Sequence, residues 1–560
     1  MKSSHRNKAP LSRRGFLSIT AALFASTFSI KLFAAQKKAV TTACMLAPAK
    51  DSGFTAQTLA TIGDNFGDYR PPGVLDGMDA WRWNENTVRL FVNHELECYA
   101  GYPWQLANGT TLRGARVSWF DIDRDTQEIR AGGNAIQEMR DRRGTIVTSA
   151  RQVNESSRSS LLNWFASNKD KQCGLTSLCS AQGYRVGEFG FVDDLFFTNE
   201  EVSTAEGHPH GGSVWCLDIH TGTLWALPEL GRGAWENAAA IETPDQAKAD
   251  GHIALLLGDD LDAGSAPLYL WVGKKIPDGN FIERNGLTQG QLYAWASNKG
   301  DRDPQDWRGT GNQRAGTFKA LITHDPDQAG EPGYDRDGYL NDNLLRTQAQ
   351  ELGAFMMSRP EDLHTNPQNG LQVALCSTGQ GNVYPADDWG TVYLIDMQFD
   401  MLNAVLRPTA TLTILHDTDD YGDHGIRSPD NIVWATDGWL YIHEDRATRL
   451  NEFGGETGRE ASTWRLNPSK PEEFQLVAVI DRSVVLPDGA KDGRPAKLGA
   501  WECSGIIDVS KLFTENADEL WLITAVQADS IRGGPIGGQE LLVQGGQLVM
   551  LKRKGERATL

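Results

Sequence analysis

Four stretches of the chain share one build: an alternating apolar run, a short polar turn, then a second run. They are "RVSWFDIDRDTQEIRA" (116–131), "SVWCLDIHTGTLWAL" (213–227), "TVYLIDMQFDMLNAVL" (391–406) and "STWRLNPSKPEEFQLVAV" (462–479). A period of two broken by a Gly, Asp, Asn or Pro turn is the pattern of a β-hairpin. Single runs of the same kind lie between them: "TVRLFVNHE" (87–95), "HIALLLGDD" (252–260), "GQLYAWAS" (290–297), "ELWLITAV" (519–526) and "GQLVMLKR" (546–553). The copies are too diverged to fix a period. Many short strands spread over most of a long chain nevertheless predict an all-β array, a β-propeller with six blades favoured. The 58 Gly and 17 Trp of the 560 residues agree with strands and turns. Helix is expected only in insertions such as "GYLNDNLLRTQAQELGAFMM" (338–357). Polar insertions are placed near 150–185 and 300–357 of a single domain spanning 36–560.

The first 35 residues are distinct, with six Lys/Arg and no Asp/Glu. "SRRGFLS" (12–18) precedes the apolar run "ITAALFASTFSI". Paired arginines before a moderately apolar stretch resemble a twin-arginine export signal, the alternative being a Sec signal with a basic start. Cleavage is expected near Ala34 or Ala35, although Phe33 or Leu32 at the −3 position fits a small-residue site poorly. No later apolar run is long enough to span a membrane. The expected mature protein is soluble, monomeric, and periplasmic or secreted after passage through the twin-arginine translocase. The net charge is −19 overall, leaving −25 outside the leader. That acidity excludes nucleic-acid binding and suits a protein that gathers cations.

The seven cysteines (Cys44, Cys98, Cys173, Cys179, Cys216, Cys376, Cys503) form no C-x2-C zinc pair. Cys173 and Cys179 are close enough for a loop disulfide, or one of them is a metal thiolate. Cys216 and Cys376 lie in strand patterns and are expected in the core.

A propeller aims the turns that enter its inner strands at a central channel. Acids repeated at those turns would converge into a site for hard cations. "SRPEDL" (358–363) and "RSPDNI" (427–432) are alike enough to be equivalent corners of two blades. Glu200 and Glu201 end an apolar run; Glu236 and Glu502 each follow Ala-Trp and precede small residues; Asn93, His94 and Glu95 end another strand. Carboxylates packed together repel, and a multivalent cation resolves the conflict. Arg359, two residues before Glu361, would be repelled by bound cations unless an anion bridged them, and phosphate does so. The alternative is a surface ion pair with Glu361 or Asp362.

The order "NHE", "EE", "WENAAAI", "RPEDL", "SPDNI…GWLYI", "WECSG", over residues 65–534, resembles the PhoX family of alkaline phosphatases. The resemblance implies an exported six-bladed propeller with an iron–calcium cluster that hydrolyses small phosphate monoesters. It implies that Glu200, Glu201, Glu236, Glu361, Asp430 and Glu502 ligate or surround the cluster, that Cys179 is its thiolate, and that Arg359 binds phosphate. It makes "GDD" (258–260) structural. The chain departs from the family before the Glu-Glu pair. It lacks the family's Thr-Pro-Trp-Gly stretch, and Cys179 lies 21 residues before Glu200, so its match needs an insertion. Two other readings keep a propeller: a calcium lactonase or esterase, and a non-catalytic calcium-stabilised binding domain.

Overall fold

The computed structural model describes residues 43–154, 172–261, 264–402, 405–446 and 452–554. The export-signal segment lies outside them. The protein is a β-propeller. Six inner strands stand in a ring: β1 (Leu75–Asn84), β2 (Leu178–Tyr184), β3 (Trp235–Ile241), β4 (Pro360–Asn366), β5 (Pro429–Trp434) and β6 (Glu502–Asp508). Each neighbours the next, and β6 neighbours β1. From each, a mainly antiparallel sheet runs outward, the outermost strand of the second blade, Glu138–Arg140, pairing in parallel with Thr223–Ala226.

The hairpins have local causes. In the first blade the Asp123 carboxylate accepts from the amides of Asp125 (3.0 Å) and Thr126 (2.9 Å). In the second, Asp218 does the same for His220 and Thr221. These Asx turns fold Arg116–Asp123 onto Ile129–Asn134 and Gly212–Asp218 onto Thr223–Ala226. Small residues recur where the inner strands pack closest. Ala238, Ala239 and Ala240 of β3 are fully buried. At Gly77 of β1 a Cβ would come within 2.1 Å of the Ala181 amide on β2, so only glycine permits that approach.

The ring is closed by the N-terminal part of the domain. Phe54–Thr61 pairs with Gly545–Arg553, supplying the outer strand of the sixth blade. Leu46–Pro48 joins the fifth blade through Phe474–Ile480.

Two expectations about insertions are corrected. The stretch 178–184, placed at the end of an insertion, is inner strand β2, whose alternation is hidden by its small polar residues. Within 300–357, Gln313–Leu321 is a strand that pairs with both Gln289–Ser297 and Val405–Asp417, joining the third and fourth blades into one nine-stranded sheet. The helix expected in 338–357 forms over Asp342–Glu351. It is N-capped by Asn341 and bound through Arg346 to Asp259 and Asp342.

Candidate metal centre and phosphate site

All six inner strands carry a bulge near their start. In the first five it lies between Leu75 and Met78, Leu178 and Ala181, Trp235 and Ala238, Pro360 and Leu363, and Pro429 and Ile432. In β6 it lies between Ser504 and Ile506. A bulge re-aims the side chains beside it. The residue inside the bulge is Asp76, Cys179, Glu236, Glu361 and Asp430 in the first five blades, and Glu502 takes the matching sequence place in β6, two residues before its bulge. Four of these strands are entered through a residue in the left-handed region: Val74 (φ 53°), Ser177 (φ 42°), Arg359 (φ 60°) and Ser428 (φ 43°). "SRPEDL" and "RSPDNI" are therefore equivalent corners, but Arg359 corresponds to Ser428, not to Arg427. Arg427 is fully buried away from the corner, on Glu444 (2.6 Å) and Asp423 (2.9 Å).

The second strand of each blade delivers another group just past its end: Glu95, Glu201, Asp260, Thr378, Asp445 and Asp529. The two sets interleave. Ligand atoms of Asp76, Glu95 and Cys179 lie within 4.8 Å of one another, as do those of Cys179, Glu201 and Glu236, and those of Glu236, Asp260 and Glu361. The three groups share members and form one continuous cage wall.

Burial, then the neighbouring carboxylates, push Glu95, Glu201, Glu236, Glu361, Asp430 and Glu502 well above the carboxylate range. Asp76 is pushed up to about 6 by burial, offset in part by hydrogen bonds from Cys179 and Gln527. Burial and the same negative field raise the Cys179 thiol. Both oxygens of fully buried Glu236 have no hydrogen-bond donor among the described residues. A converging set of like-charged oxygens with orphaned lone pairs and one sulfur fits multivalent cations.

Arg359 lies among these acids and is buried. Its Nε donates to Asp260 Oδ1 (2.8 Å), and one Nη2 bridges Asp260 Oδ2 and Glu361 Oε1, the latter at 3.3 Å. Its Nη1 is buried and has no hydrogen-bond partner among the described residues. The ion pair is thus internal rather than on the surface, and its principal partner is Asp260, which the sequence reading made structural.

The remaining candidates divide. Glu200 is occupied by Trp215 Nε1 (3.0 Å) and the amides of Thr176 and Ser213, and stands outside the three groups; its neighbour Glu201 enters them. Asn93 donates to the Cys179 carbonyl (2.7 Å) and braces the corner from behind. His94 is held between the Gly73 carbonyl and Ser118, and burial lowers it to about 3, so it is a neutral strut. Glu95 joins the cage. Cys173 is bonded to Cys98, which removes the loop disulfide with Cys179 and leaves Cys179 a free thiol. Cys216 and Cys376 are buried in the core, as expected. Asp76, Asp260, Asp445 and Asp529 are the acids the sequence reading did not include.

Fold and site together define a β-propeller with a buried guanidinium beside a cage of carboxylates and one thiol that could bind metal. The family model "Alkaline phosphatase PhoX" matches residues 163–464, more than half of the chain, and the chain belongs to that family. It is a phosphoric monoester hydrolase of a metal-dependent family. The fold is similar to that of Pseudomonas fluorescens PhoX in complex with vanadate, a transition state analogue. That match has a TM-score of 0.56 and 17% identity, covering 92% of this chain and 97% of that one. The polysaccharide lyase Uly1 aligns with a TM-score of 0.25 at 9% identity, over 86% of this chain and 77% of that one, and bears on nothing here. No curated protein matches.

Proposed function

We propose that the cage binds calcium and iron together and that Arg359 holds the phosphoryl group of a small exported-compartment phosphate ester against it. The observation that carries this reading is the pairing of orphaned Glu236 oxygens with an orphaned Arg359 Nη1 inside one ring of acids. Carboxylates of Asp76, Glu95, Glu201, Glu236, Glu361, Asp430 and Glu502 suit calcium, and the single thiol of Cys179 suits a softer ion such as iron. When bound, the cations supply Lewis-acid polarisation of the phosphoryl oxygens. Asp260 grips one edge of the Arg359 guanidinium, through Nε and Nη2, and Nη1 is left for substrate. Nη1 then donates to a phosphoryl oxygen in a buried setting, where a charge-assisted hydrogen bond is strong. The relative solved with vanadate, a transition state analogue, supports a phosphoryl ligand for this fold. Export rests on the twin-arginine leader. Among the described residues no helix is long and apolar enough to cross a membrane. Family membership displaces the lactonase and binding-domain readings.

The test is metal analysis of purified protein together with kinetics on a phosphate ester. Wild type should carry calcium and iron. Arg359→Ala should keep both and lose about 10²–10³-fold in kcat/KM. Arg359→Lys should recover only part, since an ammonium cannot make the bidentate contact with Asp260. An Arg359→Ala enzyme within about two-fold of wild type overturns the phosphate role.

A further inference from the structure

The Cys98–Cys173 disulfide sits beside one corner of the cage. Cys98 lies three residues beyond Glu95, and Cys173 six residues before Cys179. The bond therefore joins the two loops that deliver two of the three members of the Asp76, Glu95, Cys179 group. The two passes of chain are also joined by Asn93 Nδ2, two residues before Glu95, which donates to the Cys179 carbonyl (2.7 Å). The Ser177 amide donates to the Leu96 carbonyl (2.9 Å), and a third pass of chain at Gly114 wedges between them. A Cβ at Gly114 would lie 2.3 Å from the Leu175 carbonyl oxygen and 2.6 Å from Cys98 Cα. The loop of Cys173 is further fixed by Arg113, whose amide donates to the Gln172 carbonyl, and by Asn154 Nδ2, 3.3 Å from Cys173 Sγ. The Ser177 turn itself is left-handed, a conformation a serine adopts only when its surroundings impose it.

Within the corner the Cys179 thiol donates to Asp76 Oδ2 (3.5 Å), and Gln527 Nε2 donates to both Asp76 Oδ2 (2.9 Å) and Glu95 Oε2 (3.0 Å). Each of these bonds uses a ligand atom that an ion would claim. A covalent tie outside the corner fixes the spacing of its two loops without competing for a ligand atom. Resting on the metal-cage reading above, we infer that the Cys98–Cys173 disulfide is a positioning clasp: it holds Glu95 and Cys179 at metal-binding separation and slows escape of the ion at that corner. Cysteines stay reduced in the cytosol and pair in oxidising compartments. The corner would then be looser while ions are loaded and locked after export. Closure needs a thiol–disulfide oxidant, which takes up the two electrons and two protons released as the S–S bond forms.

The test compares the oxidised holoenzyme with the Cys98→Ser, Cys173→Ser double variant, both purified without reductant. Metal content is measured first. If neither protein holds metal at the cage, the cage reading fails and the clasp with it. With metal present, release into excess chelator is followed ion by ion. The clasp predicts that one class of ion leaves about tenfold faster or more from the variant while the others leave at wild-type rates. A purely structural disulfide, whose loss lowers stability in either case, would speed the release of all ions together. Asp423→Asn, a destabilising change in a loop remote from this corner, gives that baseline. Release rates within about two-fold of wild type, or a uniform increase matching Asp423→Asn, overturn the clasp and leave the cage reading intact. Should the double variant fold poorly, reduction of the folded wild type, with thiol counting to confirm that only this bond opened, gives the same comparison.

Discussion

Asp260→Asn separates the two jobs that the structure gives to neighbouring carboxylates. Asp260 is fully buried and spends both oxygens on Arg359. Charge-assisted hydrogen bonds contribute about 1.5–3 kcal/mol each, and removing one partner of a buried ion pair costs about 3–5 kcal/mol. Asparagine keeps the shape and one acceptor but loses the charge, so about 3 kcal/mol of the grip should go. Glu361 at 3.3 Å can capture the released guanidinium and draw it onto an atom needed for metal. If the productive rotamer loses that 3 kcal/mol of preference, its population falls by up to about 10²-fold, at 1.4 kcal/mol for each factor of ten. The expected enzyme keeps its metals and loses about 10–10²-fold in kcat/KM, and inorganic phosphate inhibits it more weakly by a similar factor. Metal content by mass spectrometry and phosphate inhibition decide the matter. Asp260→Asn protein that loses an ion but retains wild-type phosphate affinity would show Asp260 to be a ligand first, and would refute the division of labour argued here.

Glu236→Gln should lower metal content, because both its buried oxygens lack any other partner; in chelator at pH 8 the same variant should unfold at a higher temperature than wild type, since one of the repelling charges is gone. Asp423 receives the amides of Gly454 (2.7 Å), Glu456 and Thr457 and a bond from Arg427, and these outweigh its burial and hold it at about 2. Its folded value lies below the unfolded one, so the stability it contributes, about 2 kcal/mol, is present above pH 5 and is lost as pH falls through 2. Urea denaturation of wild type and Asp423→Asn should show a gap at pH 6 that closes towards pH 2, and a pH-independent gap would refute the ionic origin. Loss of the 98–173 disulfide, which spans 75 residues, should cost about 2–5 kcal/mol. Arg13→Lys with Arg14→Lys should leave phosphatase activity in the cytoplasmic fraction; unchanged periplasmic activity would make the leader Sec-dependent.

Strand content and hairpins were legible because alternation is local, and the acids of β3, β4, β5 and β6 because each follows Trp or Pro and precedes a small or polar residue. The same signal extends to the first two blades. "LDG" at 75–77, "LCS" at 178–180, "WEN", "PED", "PDN" and "WEC" are one motif repeated once per blade, with Cys179 taking the place of the acid. Reading it six times would have found Asp76, which "LDG" disguises as a turn, and would have seated Cys179 without counting back from Glu200. A second repeat runs through "HE" at 94–95, "EE" at 200–201, "DD" at 259–260, "ED" at 444–445 and "AD" at 528–529. The first member of each pair ends a strand, and wherever it is polar it is spent there, as His94 on Gly73 and Ser118 and Glu200 on Trp215. The second member turns into the channel. Alternation alone explains why Glu201 is in the cage and Glu200 outside it. Two features had no such local sign. Arg359 finds Asp260 across 99 residues, and Cys98 finds Cys173 across 75. Each pair joins corners of adjacent blades, whose distance along the chain is set by whatever is inserted between them. A local pattern can therefore name the members of the ring, but only closure of the ring decides which members touch.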